Sequence, residues 1–209
     1  MTVTELREIR PEHYEVKFSD GSSMKMGLAV IADFSLYAGR ELSMDEFSSI
    51  SDAASLGRAK ERALRMIGAR PLSERELYDR LIEKGESEHH AAAVVARFIE
   101  LRLIDDSEYA RMLVRHYAAK GYGERRVKDE LYRHKVGRDR WEEALEEMPD
   151  MDEALDKLLR SKMRGASTSD RAAVKKASDA LMRRGYNWEE IRSALFRFEE
   201  NFSEEEYYG

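Results

Sequence analysis

Apolar positions recur along this chain at a step of fifty residues. Leu81 is followed by Leu131 and Leu181 at that step, and four further columns keep an apolar residue in all three copies. Those columns are Ala91, Trp141 and Ile191; Val94, Ala144 and Ala194; Val95, Leu145 and Leu195; and Phe98, Met148 and Phe198. A period of this length is typical of a supersecondary unit copied in tandem. Each copy holds about three short helices, too few to enclose a core alone, so neighbouring copies should stack into an elongated array.

Helix-start signals divide this region into units of three helices. A capping residue followed three positions later by an acidic or amide side chain opens many helices. Five sites have this pattern: Ser73 with Glu76, Asp105 with Glu108, Asp139 with Glu142, Asp150 with Glu153, and Asn187 with Glu190. The sequence therefore predicts a mainly α protein with helical repeats over 51–104, 105–149 and 150–200, and an acidic tail over 201–209.

The first fifty residues follow a different pattern. Residues 14–18 alternate apolar and charged side chains, as a half-buried strand does, and residues 24–26 can form a returning strand. The Asp-Gly pair at 20–21 is a common hairpin turn. Ser43, with a glutamate three residues later, predicts the start of a short helix. We expect a small element over 1–50 that contains a β-hairpin and ends with this helix.

The fifty-residue step fails between the first two helices of the third copy. First-helix positions of the second copy match those of the third at a step of 45: Tyr109 with Ala154, Leu113 with Leu158, and Val114 with Leu159. The third copy therefore gains five residues, near 164–169. These residues are rich in glycine and serine, which predicts an extended loop.

Charge is distributed unevenly along the chain. The whole chain has a net charge of −6, but residues 51–198 carry 31 basic and 28 acidic residues. The repeat region is therefore slightly basic and lies between acidic ends. Proteins that bind DNA non-specifically as their main activity carry a concentrated basic excess. The charge pattern argues against that class and permits a partner with a surface of mixed charge.

The sequence has no motif for catalysis or metal binding. Cysteine is absent, which excludes disulfides and thiolate metal sites. Neither a GxxxxGK[ST] nor a GxGxxG loop occurs. His89 and His90 are adjacent and so point about 100° apart on a helix, whereas two metal ligands on one face need a spacing of four. The charged N-terminal segment does not resemble a secretory signal. We expect a cytoplasmic protein that is not an enzyme and has no cofactor or metal.

The densest basic surface is expected in the middle copy. Ten arginines and lysines fall between positions 111 and 140, with three tyrosines among them. Arginine and tyrosine are favoured at interaction hot spots. The glycines around Tyr122 permit a tight turn that would expose its ring. Acidic residues such as Asp129 and Glu130 also lie in this segment, so the residues alone support partner binding and an ordinary solvated surface about equally.

Three segments resemble motifs of the RecX family. The stretch Arg70-Pro-Leu-Ser-Glu-Arg-Glu-Leu77 through Gly85 is similar to the family's R-P-x-S-x-x-E-L…L-x-x-K-G. Leu103-Ile-Asp-Asp-Ser-Glu-Tyr-Ala110 is similar to L-I/L-D-D-x-x-F/Y-A, where a tyrosine at 109 keeps the aromatic packing role. Lys120-Gly-Tyr-Gly123 resembles the K-G-Y/F-G core, which Glu130-Leu131 extends. Order and spacing also match, strongly over 57–148 and more weakly over the third copy.

The resemblance implies an array of three-helix repeats that binds the RecA recombinase filament on single-stranded DNA. Members of the family modulate RecA, mostly by inhibiting ATP hydrolysis, strand exchange and co-protease activity, in DNA repair, recombination and the SOS response. We also expect a monomer that makes at most weak direct contact with DNA. No membrane association is expected, because the longest mostly apolar stretch, around Gly27–Ala32, is far too short to span a bilayer. The resemblance implies that Lys120, Gly121, Tyr122 and Gly123 contact the partner or organise the contact surface. We expect the neighbouring arginines to contribute to the same contact: Arg111, Arg115, Arg125, Arg126 and Arg133.

Two other functions stay open. Three-helix units can resemble helix-turn-helix modules, so the chain could be a DNA-binding helical-repeat protein. It could also be a scaffold or dimerisation module. If the RecA interpretation holds, charge reversal at Arg126 and Arg133 should weaken filament binding and leave helix content intact.

Overall fold

The computed structural model describes the backbone of residues 1–208 and the side chains of residues 1–200. The chain divides into two compact units, Met1–Ile104 and Asp105–Gly209. The first contains β1 (Val3–Arg10), β2 (His13–Phe18), β3 (Ser23–Gly27), α1 (Leu28–Asp33), α2 (Met44–Ala69), α3 (Glu74–Glu83) and α4 (Glu88–Glu100). The second contains α5 (Asp106–Ala119), α6 (Glu124–Arg133), a 3₁₀ turn (Arg138–Arg140), α7 (Trp141–Glu146), α8 (Asp152–Lys162), α9 (Arg171–Arg183) and α10 (Trp188–Tyr208).

The repeat cores confirm the fifty-residue pattern. Leu81, Leu131 and Leu181 are at most 1% exposed, and each belongs to the core of its own three-helix repeat. The column of Val94 is buried in all three copies as well, whereas the Val95 column is half-buried throughout and packs at the edge of the same cores. Trp141 is also only half-buried, and its indole N–H donates to the Val136 carbonyl at 3.1 Å. The predicted class, a mainly α chain of three-helix repeats with a small β element, is confirmed.

The N-terminal element is a three-stranded antiparallel sheet in the order β1-β2-β3. The predicted hairpin corresponds to β2 and β3, but the sequence did not predict β1. Within β1 only Val3 is fully buried, so its apolar pattern is weak. Pairing with β2 and cross-strand ion pairs hold this strand, for example Arg7 Nη2 to Glu15 Oε2 at 2.6 Å.

Helix α2 is one continuous helix of 26 residues, so the prediction of a short helix before the first repeat was wrong in length. Its start was correct, since the Ser43 hydroxyl and the Glu46 carboxylate form the expected capping box. The first half packs on the sheet through Ile50, and the second half packs in the first repeat through Ala63. One helix therefore supplies part of two cores.

The capping predictions were correct at three sites and wrong at two. The side chains of Ser73, Asp105 and Asn187 each accept from the backbone N–H three residues later. Asp139 caps nothing, because it lies in the 3₁₀ turn and its carboxylate pairs with the following arginine. Helix α8 has Met151 at its N-cap, and Asp150 accepts from the Asp152 N–H at 2.8 Å instead of from the predicted Glu153.

The extended loop of the third copy is confirmed. Residues 163–170 connect α8 and α9, whereas residues 120–123 connect the equivalent helices α5 and α6. Gly165 in this loop has φ +76°, and no atom lies within 4 Å of the position that a Cβ would take.

Candidate partner-binding surface

Two of the predicted contact residues belong to an ion-pair network between α5 and α7. Arg111 Nη1 lies 2.9 Å from Glu143 Oε1, and Arg115 Nη1 lies 2.7 Å from Glu147 Oε2. Both arginines also pair with Glu108, and these hydrogen bonds, from Arg115 first and then Arg111, lower the pKa of its carboxyl group. The charge of both arginines is therefore largely compensated within the protein.

A second group surrounds the buried carboxylate of Glu130 on α6. Its side chain is 3% exposed, and its two oxygens pair with Arg126 Nη2 at 2.7 Å and Arg133 Nη2 at 2.5 Å. The Tyr117 hydroxyl accepts from Arg133 at 3.3 Å, and burial, followed by a hydrogen bond to Glu130, raises the pKa of this tyrosine. A desolvated carboxylate needs cationic or hydrogen-bonding partners. Arg126 and Arg133 are therefore structural counterions in addition to being candidate contacts.

The segment Lys120-Gly-Tyr-Gly123, which precedes α6, contacts the third repeat through its backbone. The Gly123 N–H donates to the Arg184 carbonyl at 2.9 Å, and the Arg125 N–H donates to the Gly185 carbonyl at 3.2 Å. A Cβ added at Gly123 would lie 2.7 Å from the backbone of Gly185, and one added at Gly185 would lie 2.3 Å from the Arg126 nitrogen. Both glycines are therefore required for the close approach of these backbones.

Two guanidinium groups lie close to the Tyr122 ring. Arg184 lies 5.3 Å and Arg126 5.9 Å from its ring centroid, within the range of cation–π attraction. The ring also contacts Tyr117, at a centroid distance of 6.0 Å. The expectation that the glycines would expose Tyr122 was wrong, because it is half-buried in this arrangement.

Tyr186 and Arg184 complete the junction, and the sequence reasoning missed both. The buried Tyr186 hydroxyl donates to the Gly121 carbonyl at 3.2 Å, and Arg184 Nη1 donates to the Lys120 carbonyl at 3.2 Å. A signal was present, because the basic-Gly-Tyr order of 120–122 recurs at 184–186. The two copies of this tripeptide contact each other.

Tyr186 predicts a specific loss of stability at alkaline pH. Burial raises its pKa from 10.0 to about 12, so the folded state favours the neutral phenol. The resulting stabilisation is complete below pH 10 and is lost as the pH rises toward about 12, by an amount on the order of 2 kcal/mol. In urea denaturation series at several pH values, Tyr186→Phe should be less stable than the wild type at pH 7, because it loses a hydrogen bond worth about 1 kcal/mol. Above pH 10 the difference should shrink or reverse, and a constant difference would contradict the assignment.

One face of α6 remains open to solvent. Arg125, Asp129 and Tyr132 are all exposed, and their spacing places them on one stripe of the helix. Tyr132 is 69% exposed, so most of its ring is accessible to a partner. In the part of the chain that the structure describes, the Arg125 side chain makes no ion pair. We call these three residues the outer α6 face.

The described residues contain no grouping of three histidine, aspartate or glutamate side chains suited to a metal ion. His90 is buried and pairs through Nε2 with Asp52 Oδ1 at 2.8 Å, while His134 Nδ1 lies 3.0 Å from the Tyr109 hydroxyl. Among the same described residues, no helix combines the length and the apolar character needed to cross a bilayer.

Comparison with known protein families matches all three repeats. The first three-helix domain of RecX matches residues 59–98, the second matches 105–145, and the third matches 150–195. These domains coincide with the repeat cores described above.

Relatives of known name and structure agree with this match. The chain is 32% identical over 138 residues to regulatory protein RecX of Vibrio parahaemolyticus, covering 66% of this chain and 89% of the relative. It is 33% identical over 135 residues to regulatory protein RecX of Stenotrophomonas maltophilia, covering 64% and 83%. A crystal structure of regulatory protein RecX has the same fold, with a TM-score of 0.74 at 19% identity over 94% of this chain and 98% of the other. That of RecX from Lactobacillus salivarius has a TM-score of 0.65 at 21% identity, over 69% and 97%.

All three domains match the family, and named relatives are more than 30% identical over most of their length. The chain therefore belongs to the RecX family of regulatory proteins.

Proposed function

We propose that this protein binds the filament that RecA recombinase forms on single-stranded DNA and lowers its ATPase, strand-exchange and co-protease activities. The observation that carries the proposal is the match of all three three-helix domains to a family of regulatory proteins. RecA is the partner that the resemblance of the sequence to RecX implies. Three domains of one kind suit a partner built of repeated protomers, because several weak contacts on one chain bind with a high effective concentration.

We further propose that the outer α6 face makes the central contact, with Lys120 and Arg133 beside it. These side chains are exposed, and Arg133 keeps 64% of its side chain exposed although it also pairs with Glu130. Each of Arg111 and Arg115 pairs with two or more glutamates of the same protein. Gly121, Tyr122 and Gly123 then hold α6 in place instead of touching the partner. An exposed tyrosine next to an arginine is a common composition of interaction hot spots.

The function is tested by titrating the full chain into RecA on single-stranded DNA and measuring ATP hydrolysis and strand exchange. A fall in both, with binding to the RecA–DNA filament tighter than to free RecA or free DNA, is the expected result. No change at large excess would contradict the proposal. Tight, steeply salt-dependent binding to naked DNA would favour the DNA-binding alternative. Stable self-association with no response to RecA would favour a scaffold.

The contact surface has a separate test. Tyr132→Ala and Arg125→Glu should each weaken filament binding by about tenfold or more, since truncating a hot-spot residue costs at least about 1–2 kcal/mol. The matched control is Tyr37→Ala, which removes a tyrosine of similar exposure, 63% against 69%, from the other compact unit. Filament affinity is measured by fluorescence anisotropy at constant salt. Equal effects of Tyr132→Ala and Tyr37→Ala would remove the outer α6 face from the proposal.

A further inference from the structure

A pocket of about 300 Å³ lies between the N-terminal sheet and α2, in the first compact unit. All three strands contribute to its walls, and α2 contributes one stripe of its surface at the spacing i, i+3, i+4 and i+7. Five arginines and lysines line it, against a single carboxylate from Glu61: Arg10, Lys25, Arg58, Arg62 and Arg65. Like charges around one concavity raise the local positive potential, which attracts anions to it.

Carboxylates of the protein compensate only part of this charge. Glu61 Oε2 accepts from Arg10 Nη2 at 3.0 Å, and its Oε1 lies 2.6 Å from His13 Nε2. Hydrogen bonds to the Pro11 carbonyl and then to Glu61 raise the pKa of His13, which favours its charged form. Arg62 pairs with a glutamate outside the pocket wall, Glu86, at 2.9 Å.

The other three cations have no carboxylate partner among the described residues. Arg58 donates to the Ser55 hydroxyl at 2.9 Å and to the Lys25 carbonyl at 3.4 Å, which fixes its guanidinium beside β3. Lys25 and Arg65 are exposed, and in the described part of the chain neither side chain forms an ion pair. Three uncompensated cations therefore line one concave site.

The shape and the remaining lining indicate what the site would bind. Its volume is at the lower end of the range for small-molecule pockets. Met26 is buried in the wall and Ile9, 41% exposed, stands at its surface, so part of the lining is apolar. Arginine forks match the geometry of phosphate oxygens, and a ligand with both a phosphate and an apolar surface fits this combination. A nucleotide has both, since the faces of its base are apolar.

We propose that this pocket binds a nucleotide through its phosphate group, with Lys25, Arg58 and Arg65 as the main contacts. The nucleotide is either free or part of a nucleic-acid strand, and the phosphate chemistry is the same in both cases. This inference does not rest on the proposed binding of RecA. Most of the pocket residues, Ile9 to Arg58, precede the first matched three-helix domain.

The test measures binding of three probes to the full chain at low and moderate salt: pyrophosphate, ADP and a short oligothymidylate strand. The wild type should bind the nucleotide-containing probes, and Lys25→Glu and Arg65→Glu should each weaken that binding by about tenfold or more, the expected effect of losing a hydrogen bond to a charged group. Lys60→Glu is the matched control, because it makes the same charge change on α2 outside the pocket. Circular dichroism checks that all variants keep the wild-type helix content.

The outcomes divide clearly. If ADP binds and the strand does not, the site takes a free nucleotide; if the strand binds more tightly than ADP, it takes a nucleotide within a strand. Either result supports the pocket, provided that Arg65→Glu is weaker than Lys60→Glu. Binding of none of the probes, or of pyrophosphate alone, overturns the proposal, as does equal binding by Arg65→Glu and Lys60→Glu.

Discussion

Gly185→Ala should lower the free energy of unfolding of the second compact unit by about 3–5 kcal/mol, through overpacking and backbone strain together. The added methyl group would lie 2.3 Å from the Arg126 nitrogen and 2.5 Å from its Cβ, so the two backbones would have to separate. The residue also has φ +94°, which side chains with a Cβ rarely adopt. Urea denaturation followed by circular dichroism measures the loss.

The matched control is Gly165→Ala in the α8–α9 loop. This glycine also has a positive φ, +76°, but nothing lies within 4 Å of its Cβ position. It should therefore lose only the cost of the left-handed conformation, about 1 kcal/mol. Equal losses in the two variants would mean that the close contact between α6 and residues 184–186 does not form in solution.

The double charge reversal Arg126→Glu with Arg133→Glu should destabilise the protein by about 3–5 kcal/mol, the range for breaking a buried ion pair. It would replace both cations that neutralise the Glu130 carboxylate, which is 3% exposed, with two further carboxylates. Arg125→Glu, on the same helix but fully outside this cluster, should cost less than about 0.5 kcal/mol. Thermal and urea denaturation of the variants compare these effects.

Neutralising the central carboxylate should rescue the double variant. Adding Glu130→Gln removes the repulsion among three carboxylates, so it should recover a measurable part of the lost stability, whereas in the wild-type background the same change is destabilising. Effects of Glu130→Gln that are equal and of one sign in both backgrounds would rule out the coupling. The sequence suggested this double reversal as a test of partner binding with helix content intact. Because it is expected to lower the stability of the protein by several kcal/mol, loss of binding in that variant would not by itself identify a contact.

Features that repeat locally were predictable from the sequence. The apolar column of Leu81, Leu131 and Leu181 indicated the three repeats, because the same position is buried in each copy. Strong capping residues such as Ser73 gave helix starts correctly, since the cap bond joins neighbours in sequence. Strand β1 was missed because tertiary pairing with β2, and not its own apolar pattern, holds it.

The candidate site was less predictable, because burial depends on contacts between distant parts of the chain. Tyr122 and Tyr132 lie in similar basic surroundings in the sequence, yet one is enclosed by Arg184 and the other is 69% exposed. Glu130 looked like one acidic residue on a solvated surface and is in fact buried between two arginines. The pocket beside α2 was missed for the same reason. Arg58 and Arg65 line a pocket only because the sheet, which is distant in sequence, packs against their helix.

The continuity of α2 has a geometric consequence for the first compact unit. The helix turns by about 100° per residue, so the direction in which Ile50 faces the sheet sets the direction in which Ala63 faces the first repeat. A residue inserted between Ile50 and Arg58 would rotate one core by about 100° relative to the other and turn the stripe with Arg58 and Arg65 away from the pocket. The helix therefore fixes the orientation of the sheet and the pocket relative to the first repeat. Insertions or deletions that keep this orientation must lie outside the helix.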